Sequence, residues 1–286
     1  MSPEIAHQWL LTALALASPL LLAALGELIG ERAGVLNIGL EGMMLAGAWA
    51  GAAASFASRS APLGLLAAMG AGIAFAAIFA WLVLTLRADA IVAGTGLNLL
   101  SLGLTGVLQR RMATVYGSYE AVPLPEMSFA VAGALLALTL WWALRRTRIG
   151  LQLRAVGEHP AAADSAGVHV RRVRWLATLA NGALCGAAGA FLSMANTHSF
   201  AENMTAGRGF IALAIVIFGR WSPLGAVGAA LLFAAAEGAQ YSLQASLGSG
   251  YAPLFLALPY IVTLLTLAGF AGATRAPAAL GQDYEK

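Results

Sequence analysis

Charge is what this sequence has least of. Only 10% of its 286 residues are Asp, Glu, Lys or Arg, against 60% hydrophobic, whereas soluble domains carry roughly 25% charged residues. That deficit excludes an ordinary soluble domain and places the chain among polytopic membrane proteins. Cysteine is nearly missing. Cys185 stands alone, so no disulfide closes within the chain and no thiolate metal site forms. In the run NGALCGAAGA it reads as a small buried residue. A nucleotide signature is missing as well: there is neither G-x-x-x-x-G-K-[ST] nor a G-x-G-x-x-G after a strand. No polar stretch is long enough to fold into a nucleotide-binding domain. The chain is therefore expected to bind no cofactor, and any ATP that drives it is hydrolysed by a partner subunit.

What is present is a series of apolar runs, at 8–28, 38–57, 62–86, 91–109, 127–144, 173–196, 207–221, 223–243 and 251–272. A membrane-spanning helix needs roughly 20 residues. The fold class expected is an all-α polytopic membrane protein with 8–9 transmembrane helices, in a single domain over 1–286. The run 207–221 is short and polar at its start, which suits a half-helix or re-entrant segment. The N-terminal run lacks a basic n-region and a clear A-x-A cleavage site, and reads as a retained first span. The chain's 33 glycines fit the class, because small residues let membrane helices approach closely.

Positive charge is concentrated. The segment 145–174, about a tenth of the chain, holds Arg145, Arg146, Arg148, Arg154, Arg171, Arg172 and Arg174, seven of the sixteen Lys+Arg. The net charge of +3 could suggest nucleic acid in a soluble protein. Here the arginines flank apolar runs, where they set topology and meet lipid headgroups; no nucleic-acid partner is expected. The positive-inside rule makes 145–174 cytoplasmic and puts Arg87, Arg220 and Arg275 on the same side. The loops 110–126 and 197–206 then face outward, the N-terminus is external, and the tail 273–286 is cytoplasmic. Arg59, Arg110 and Arg111 run against the rule.

The middle of the island is nearly neutral. A His-Pro step favours a break before Pro160. Proline at a first helical position then opens a short helix, through AAADSAG to a stop at Gly167. A helix of that size is marginal alone in water and wants a partner groove; an ordinary basic loop is the plain alternative. Three further segments put polar groups into apolar surroundings. In 26–48, Glu27, Glu31, Arg32, Asn37 and Glu41 interrupt an apolar stretch. One account is an interfacial turn at 30–36 with Asn37 capping the next helix. The other is a broken helix lining a pathway, with Asn37 and Glu41 on one face. In 94–106, Asn98, Ser101 and Thr105 form a polar stripe that either glues helices together or lines a solute path. In 206–226, Gly207 and Gly209 allow a tight backbone whose following helix N-terminus could face a polar substrate group. Phe210 there could stack on a base or simply pack.

These segments resemble one family. G-L-Q-L-R-A-V-G-E-H-P-A-A-A resembles the cytoplasmic coupling segment of ABC importer permeases, in the group holding branched-chain amino-acid, simple-sugar and nucleoside permeases. The resemblance makes Gly150, Arg154, Gly157, Glu158, Pro160, Ala163 and Gly167 the residues that couple to an ATPase subunit. The familiar pattern has Asn before the proline, where this chain has His159. E-R-A-G-V-L-N-I-G-L-E-G-M-M resembles the signature near the start of nucleoside-type permeases. The stretch from Gly207 through Gly219, Pro223 and Gly225 is similar to the same group, as is the ending P-A-A-L-G. The resemblance implies a permease subunit in a bacterial cytoplasmic (inner) membrane, switched between outward and inward access by a separate ATPase. Its implied partners are ATPase subunits, a second permease, an external substrate-binding lipoprotein, membrane lipid and a small neutral polar solute. The solute is a nucleoside or nucleobase, or else a simple sugar. Asn37, Glu41, Asn98, Ser101 and Phe210 are the candidate pathway residues.

Two other classes compete. An ion-coupled secondary transporter needs an acid deep in a helix, for which Glu41 and Glu237 are the candidates. An intramembrane enzyme would have to draw on His198, Ser193 and Cys185, and no nucleophile motif or metal-ligand spacing supports it.

Overall fold

The computed structural model describes residues 3–247 and 276–284, with side chains from residue 12 to 240 and in the tail. The described residues are helical, with turns and no strand. In chain order the helices are α1 (Pro3–Arg32), α2 (Leu40–Ser58), α3 (Ala61–Ala80), α4 (Ala90–Tyr116), α5 (Glu126–Arg146), α6 (Arg148–Glu158), α7 (Pro160–Ser165), α8 (Val170–Ala190), α9 (Arg208–Phe218) and α10 (Pro223–Leu247). Wider π-type turns extend α3 over Trp81–Thr85 and α8 over Phe191–Asn196.

Small residues decide what packs on what. α2, α3 and α8 approach so closely that a Cβ on Gly72 would lie 2.0 Å from the carbonyl oxygen of Gly182, and one on Gly189 would lie 2.0 Å from that of Met44. In a bilayer, where lipid is as apolar as Leu, such backbone proximity is what drives helix association. α1 lies against α8, and its residues 20–28 are almost wholly enclosed. α4 and α5 are peripheral and turn Leu99, Leu102, Val107, Leu135 and Leu138 outward, the mark of a lipid or partner-facing surface.

Five stretches are long and apolar enough to cross a membrane: Thr12–Arg32, Ala61–Thr85, Ala90–Tyr116, Glu126–Arg146 and Val170–Asn196. The expected 8–9 spans are not reached among the described residues. α2 is long enough, but its Gly, Ala and Ser content and Glu41 dilute its hydropathy. α9, the expected run 207–221, has only 11 residues, or about 16 Å at 1.5 Å per residue, roughly half a bilayer core. The expected span 251–272 and Arg275 lie outside the described residues.

The two ends of the bundle are distinct. At one end, Arg32 Nε donates to the Trp221 carbonyl (2.9 Å), Arg171 Nη2 reaches Thr85 Oγ1 (2.9 Å), and residues 277–282 lie over Gly34 and Gly157. The island, the 85–87 turn and the 219–222 turn therefore share an end, as the arginine pattern predicts. At the other end, Arg110 pairs with Glu202 (3.2 Å), and Tyr119 donates to Gln109 (2.7 Å).

Candidate pathway and coupling sites

The interruption at 26–48 is a break between two helices. α1 continues through Glu27 and Glu31 to Arg32, three residues or so further than the turn at 30–36 allows for. Residues 33–39 then fold back along it and α2 begins at Leu40. Gly34, at φ +85°, makes the reversal, a conformation that costs glycine nothing. Asn37 is not the helix cap; Gly39 occupies that position. Asn37 instead makes an Asx turn, its Oδ1 accepting from Gly39 N (2.9 Å), while its own N–H donates to Glu27 Oε1 (3.0 Å). Asn181 of α8 donates to Glu27 Oε2 (2.6 Å) and accepts from Cys185 Sγ (3.2 Å). Glu31 accepts from the Trp221 indole. Glu27, Asn37 and Asn181 are all fully buried, so this network braces α1, the break and α8 around one carboxyl.

α4 grips the same break from another side. Asn98 Oδ1 accepts from Gly42 N (2.8 Å), its Nδ2 donates to Ile38 O (3.0 Å), and Ser101 Oγ donates to Gly42 O (2.7 Å). Thr105 turns back on its own helix, to Ser101 O. The first turn of α2 leaves backbone groups without helical partners. Asn98 answers one of these, the N–H of Gly42, and Ser101 adds a second bond to the Gly42 carbonyl. Asn98 is nine residues past Asp89, the residue capping α4, so it stands about 13 Å along the helix, within the bilayer.

α9 meets the break from a third side. Glu41 Oε1 accepts from Gly207 N (2.8 Å) and Oε2 from Gly209 N (2.7 Å). The helix N-terminus that the sequence offers to a polar substrate group is thus taken by a carboxylate of the chain itself, which suits both the free N–H groups and the helix dipole. Gly209 is required there, since a Cβ would lie 2.5 Å from Glu41 N. Arg208 pairs with Glu237 of α10 (2.7 Å). Phe210, one residue on, is 50% exposed. Of the five candidate pathway residues, Glu41, Asn98 and Ser101 converge on Gly42 and Gly209, Asn37 is sealed beneath them, and Phe210 faces outward beside Glu41. The enzyme constellation is not assembled: Ser193 bonds Gly189 O and His198 Nδ1 lies 2.9 Å from Met194 O.

The sequence reading passes over a groove at the Tyr119 end. Trp49, Phe56, Arg59, Met112 and Tyr116 line about 650 Å³ there, within the range small-molecule sites occupy. Phe56 meets Tyr116 edge-on at 5.4 Å. The aromatic spacing across α2 and α4 is invisible until those helices are placed side by side.

The polar island folds as two helices. α6 is capped by Thr147, whose Oγ1 accepts from Gly150 N (3.2 Å). Gly150 permits the sharp elbow after α5, for its Cβ would lie 2.2 Å from Ala143 O. Gly157 fits against the end of α1, where a Cβ would meet Arg32 O at 2.3 Å. Pro160 opens α7 as its spacing predicts, and Ala163 is buried with Val156 and Val170. Gly167, at φ +85°, ends it: Gly167 N donates to Asp164 O and Val168 N to Ala163 O, the paired closure of a helix C-terminus. Arg154 and Glu158 are exposed. Among the seven coupling candidates, then, Gly150, Gly157 and Ala163 point into the protein and Arg154 and Glu158 out of it. The apolar residues on the outer face are Ile149 (71% exposed) and Leu151 (60%), which the sequence reading does not single out. Their signal is a pair of large apolar side chains flanking the buried Gly150, in a helix whose other exposed residues are polar.

Residues 9–267 match the family described as branched-chain amino acid transport system / permease component. The chain is similar to the guanosine ABC transporter permease NupQ of Bacillus subtilis, 35% identical and covering 94% of each chain. It is similar in the same degree to the nucleoside ABC transporter permease NupC of Lactococcus lactis, at 35% and 94% of each. A putative glucose ABC transporter permease, TsgC13 of Haloferax volcanii, is 38% identical over 80% of this chain and 75% of its own. No solved structure matches.

Proposed function

Because this chain belongs to the branched-chain amino acid transport system permease family, a family of multi-pass transport subunits that work with ATPase and substrate-binding partners, we propose that it forms half of the pathway of an importer for nucleosides or nucleobases. The observation that carries the solute class is the end-to-end similarity to guanosine and nucleoside permeases, with 94% of each chain aligned. The glucose permease similarity favours a simple sugar as the second reading. The chain lies in a bacterial cytoplasmic membrane and pairs with a different permease. It receives solute from an external lipoprotein and binds no cofactor, the ATP being hydrolysed by the partner ATPase.

In this reading α6 and α7 sit in a groove of the ATPase, with Ile149 and Leu151 as the apolar contacts and Arg154 and Glu158 as the polar ones. Closure of the ATPase pair on ATP draws these helices together. Gly157, seated on the carbonyl of Arg32, holds the C-terminal end of α6 against the end of α1. Solute passes the exposed side of the Glu41–α9 junction, where Phe210 offers a ring to a base and the half-buried Glu41 an acceptor to ribose hydroxyls. Access switches because the inward and outward states hold ATPase and binding protein differently.

The test is uptake by proteoliposomes holding this chain with its partner permease, ATPase and binding protein. Radiolabelled guanosine, adenosine and glucose are offered with ATP on the ATPase side. ATP-dependent accumulation of a nucleoside is the expected result. Glucose uptake without nucleoside uptake overturns the solute assignment, and a proton-gradient dependence that persists without ATPase overturns the importer.

A further inference from the structure

We infer that the C-terminal tail is a strap that transmits movement of α6 and α7 to the break between α1 and α2. The tail crosses the Arg32 end of the bundle and is fastened to three elements far from it in sequence. Ala279 N donates to Gly157 O (2.9 Å), and Ala278 N to Glu158 Oε2 (3.2 Å), which ties the tail to the C-terminus of α6. Gly281 N donates to Gly34 O (3.1 Å), which ties it to the reversal in the break. Arg174 Nη1 donates to Gln282 O (2.8 Å) while its Nε donates to Ala33 O (3.2 Å). One guanidinium of α8, 4% exposed, thereby clamps tail and break together.

The tail is shaped for this. Pro277 and Ala279 are buried, and the turn is closed by Leu280 N to Pro277 O and Gln282 N to Ala279 O. Gly281, at φ +69°, points the next residues toward Arg174. Gly34 must be glycine twice over: its φ is +85°, and a Cβ would lie 3.0 Å from both Ala279 O and Arg174 Nη2. Tyr284 packs against the Val156, Ala163 and Val170 cluster that joins α6, α7 and α8. Backbone groups on α6 and in the break are therefore satisfied by one short segment, and a shift of α6 pulls on Gly34 through two or three bonds. Hydrogen bonds weaken steeply as they lengthen, so the segment follows α6 or gives up its partners. The strap moves the break with α6, so Gly157 and Glu158 act inward, on the pathway, as well as outward.

The inference rests on the importer reading, and hydrogen exchange separates the two. In the assembled transporter, exchange of amides 33–39 is compared with and without a non-hydrolysable ATP analogue, for the intact chain, a chain ending at residue 276, and the Gly281→Pro variant. Intact protein is expected to respond to the analogue at both α6–α7 and 33–39. With the strap cut or unbonded, α6–α7 still responds, 33–39 does not, and the ATP hydrolysed per solute moved rises at least tenfold. An undiminished response at 33–39 in both variants overturns the strap. So does failure of both variants to assemble with the ATPase, since the tail is then a folding element. No response at α6–α7 in the intact chain counts against the importer reading.

Discussion

The break at 33–39 and the island at 145–174 are both interruptions of an apolar chain by polar residues, and the structure treats them in opposite ways. At the break the principal polar groups find partners within the chain: Glu27 with Asn37 and Asn181, Gly42 with Asn98 and Ser101, Glu41 with Gly207 and Gly209. The island satisfies its inner face through the strap and Arg32, and leaves Ile149, Leu151, Arg154 and Glu158 outside. Non-helical backbone inside a bilayer persists only where protein or a water-filled cavity answers it. The break obeys that rule with its own side chains. A water-exposed helix of 11 residues is under no such demand, and apolar residues on its outer face point to a surface completed by another chain. One interruption is closed within this protein; the other leaves a face open.

The comparison is broken most severely at Asn181. Asn181→Leu removes the donor at 2.6 Å from Glu27 Oε2 and crowds Gly26, whose Cβ position lies 2.9 Å from Asn181 Oδ1. A buried polar group left without its partner costs about 1–3 kcal/mol, and overpacking adds a similar amount. The expected outcome is loss of most folded protein from the membrane, read by size-exclusion of detergent-solubilised chain. The opposite signature is expected of the island. Leu151→Glu touches a side chain that is 60% exposed, so yield and melting temperature stay within experimental scatter, while co-purification with the ATPase and ATP-driven uptake fall at least tenfold. A folding defect from Leu151→Glu with a functional Asn181→Leu protein reverses the assignment of the two regions.

A smaller step tests how far α4 belongs to the break. Asn98→Ala leaves Gly42 N and Ile38 O without their side-chain partner, at about 1–3 kcal/mol. Ser101→Ala removes one donor, to Gly42 O, at about 1 kcal/mol. Both proteins are expected to insert with lowered thermal stability, Asn98→Ala the more so. If Asn98→Ala abolishes uptake while melting unchanged, Asn98 contacts solute and its role as a brace is secondary.

Much of this was legible in advance, for reasons that differ by residue. The end of α7 follows from Pro160 and Gly167, because both residues act through their own backbone dihedrals. The polarity of residues 27–41 marks an interruption, since charge inside an apolar run needs a reason. What answers the charges was not legible: Asn181 lies 154 residues from Glu27, and Gly207 lies 166 from Glu41. Local patterning is blind to such pairs. The same blindness offered the N-terminus of α9 to a substrate when Glu41 already holds it, and one of its two accounts set the turn at 30–36 where the helices are separated by 33–39. The count of 8–9 spans is not reached among the described residues for another cause. An apolar run records hydrophobicity and not length of helix, and α9 is apolar yet half as long as a crossing requires.

The smallest effect is expected at the opposite end of the bundle, where an ion pair joins α4 to the 197–206 segment. Arg110 and Glu202 are 3.2 Å apart, but their side chains are 75% and 50% exposed. Water screens such a pair to about 0–1 kcal/mol. Arg110→Ala is therefore expected to leave melting temperature and uptake unchanged at physiological salt, although the residue is a charge on the last turns of α4, at an end that the positive-inside rule would keep free of arginine. A loss of uptake at unchanged stability gives the pair a partner outside this chain, of the kind proposed for the island. The Tyr119 end then also becomes a docking surface, and the contrast between self-contained break and open island extends along the bundle from one membrane face to the other.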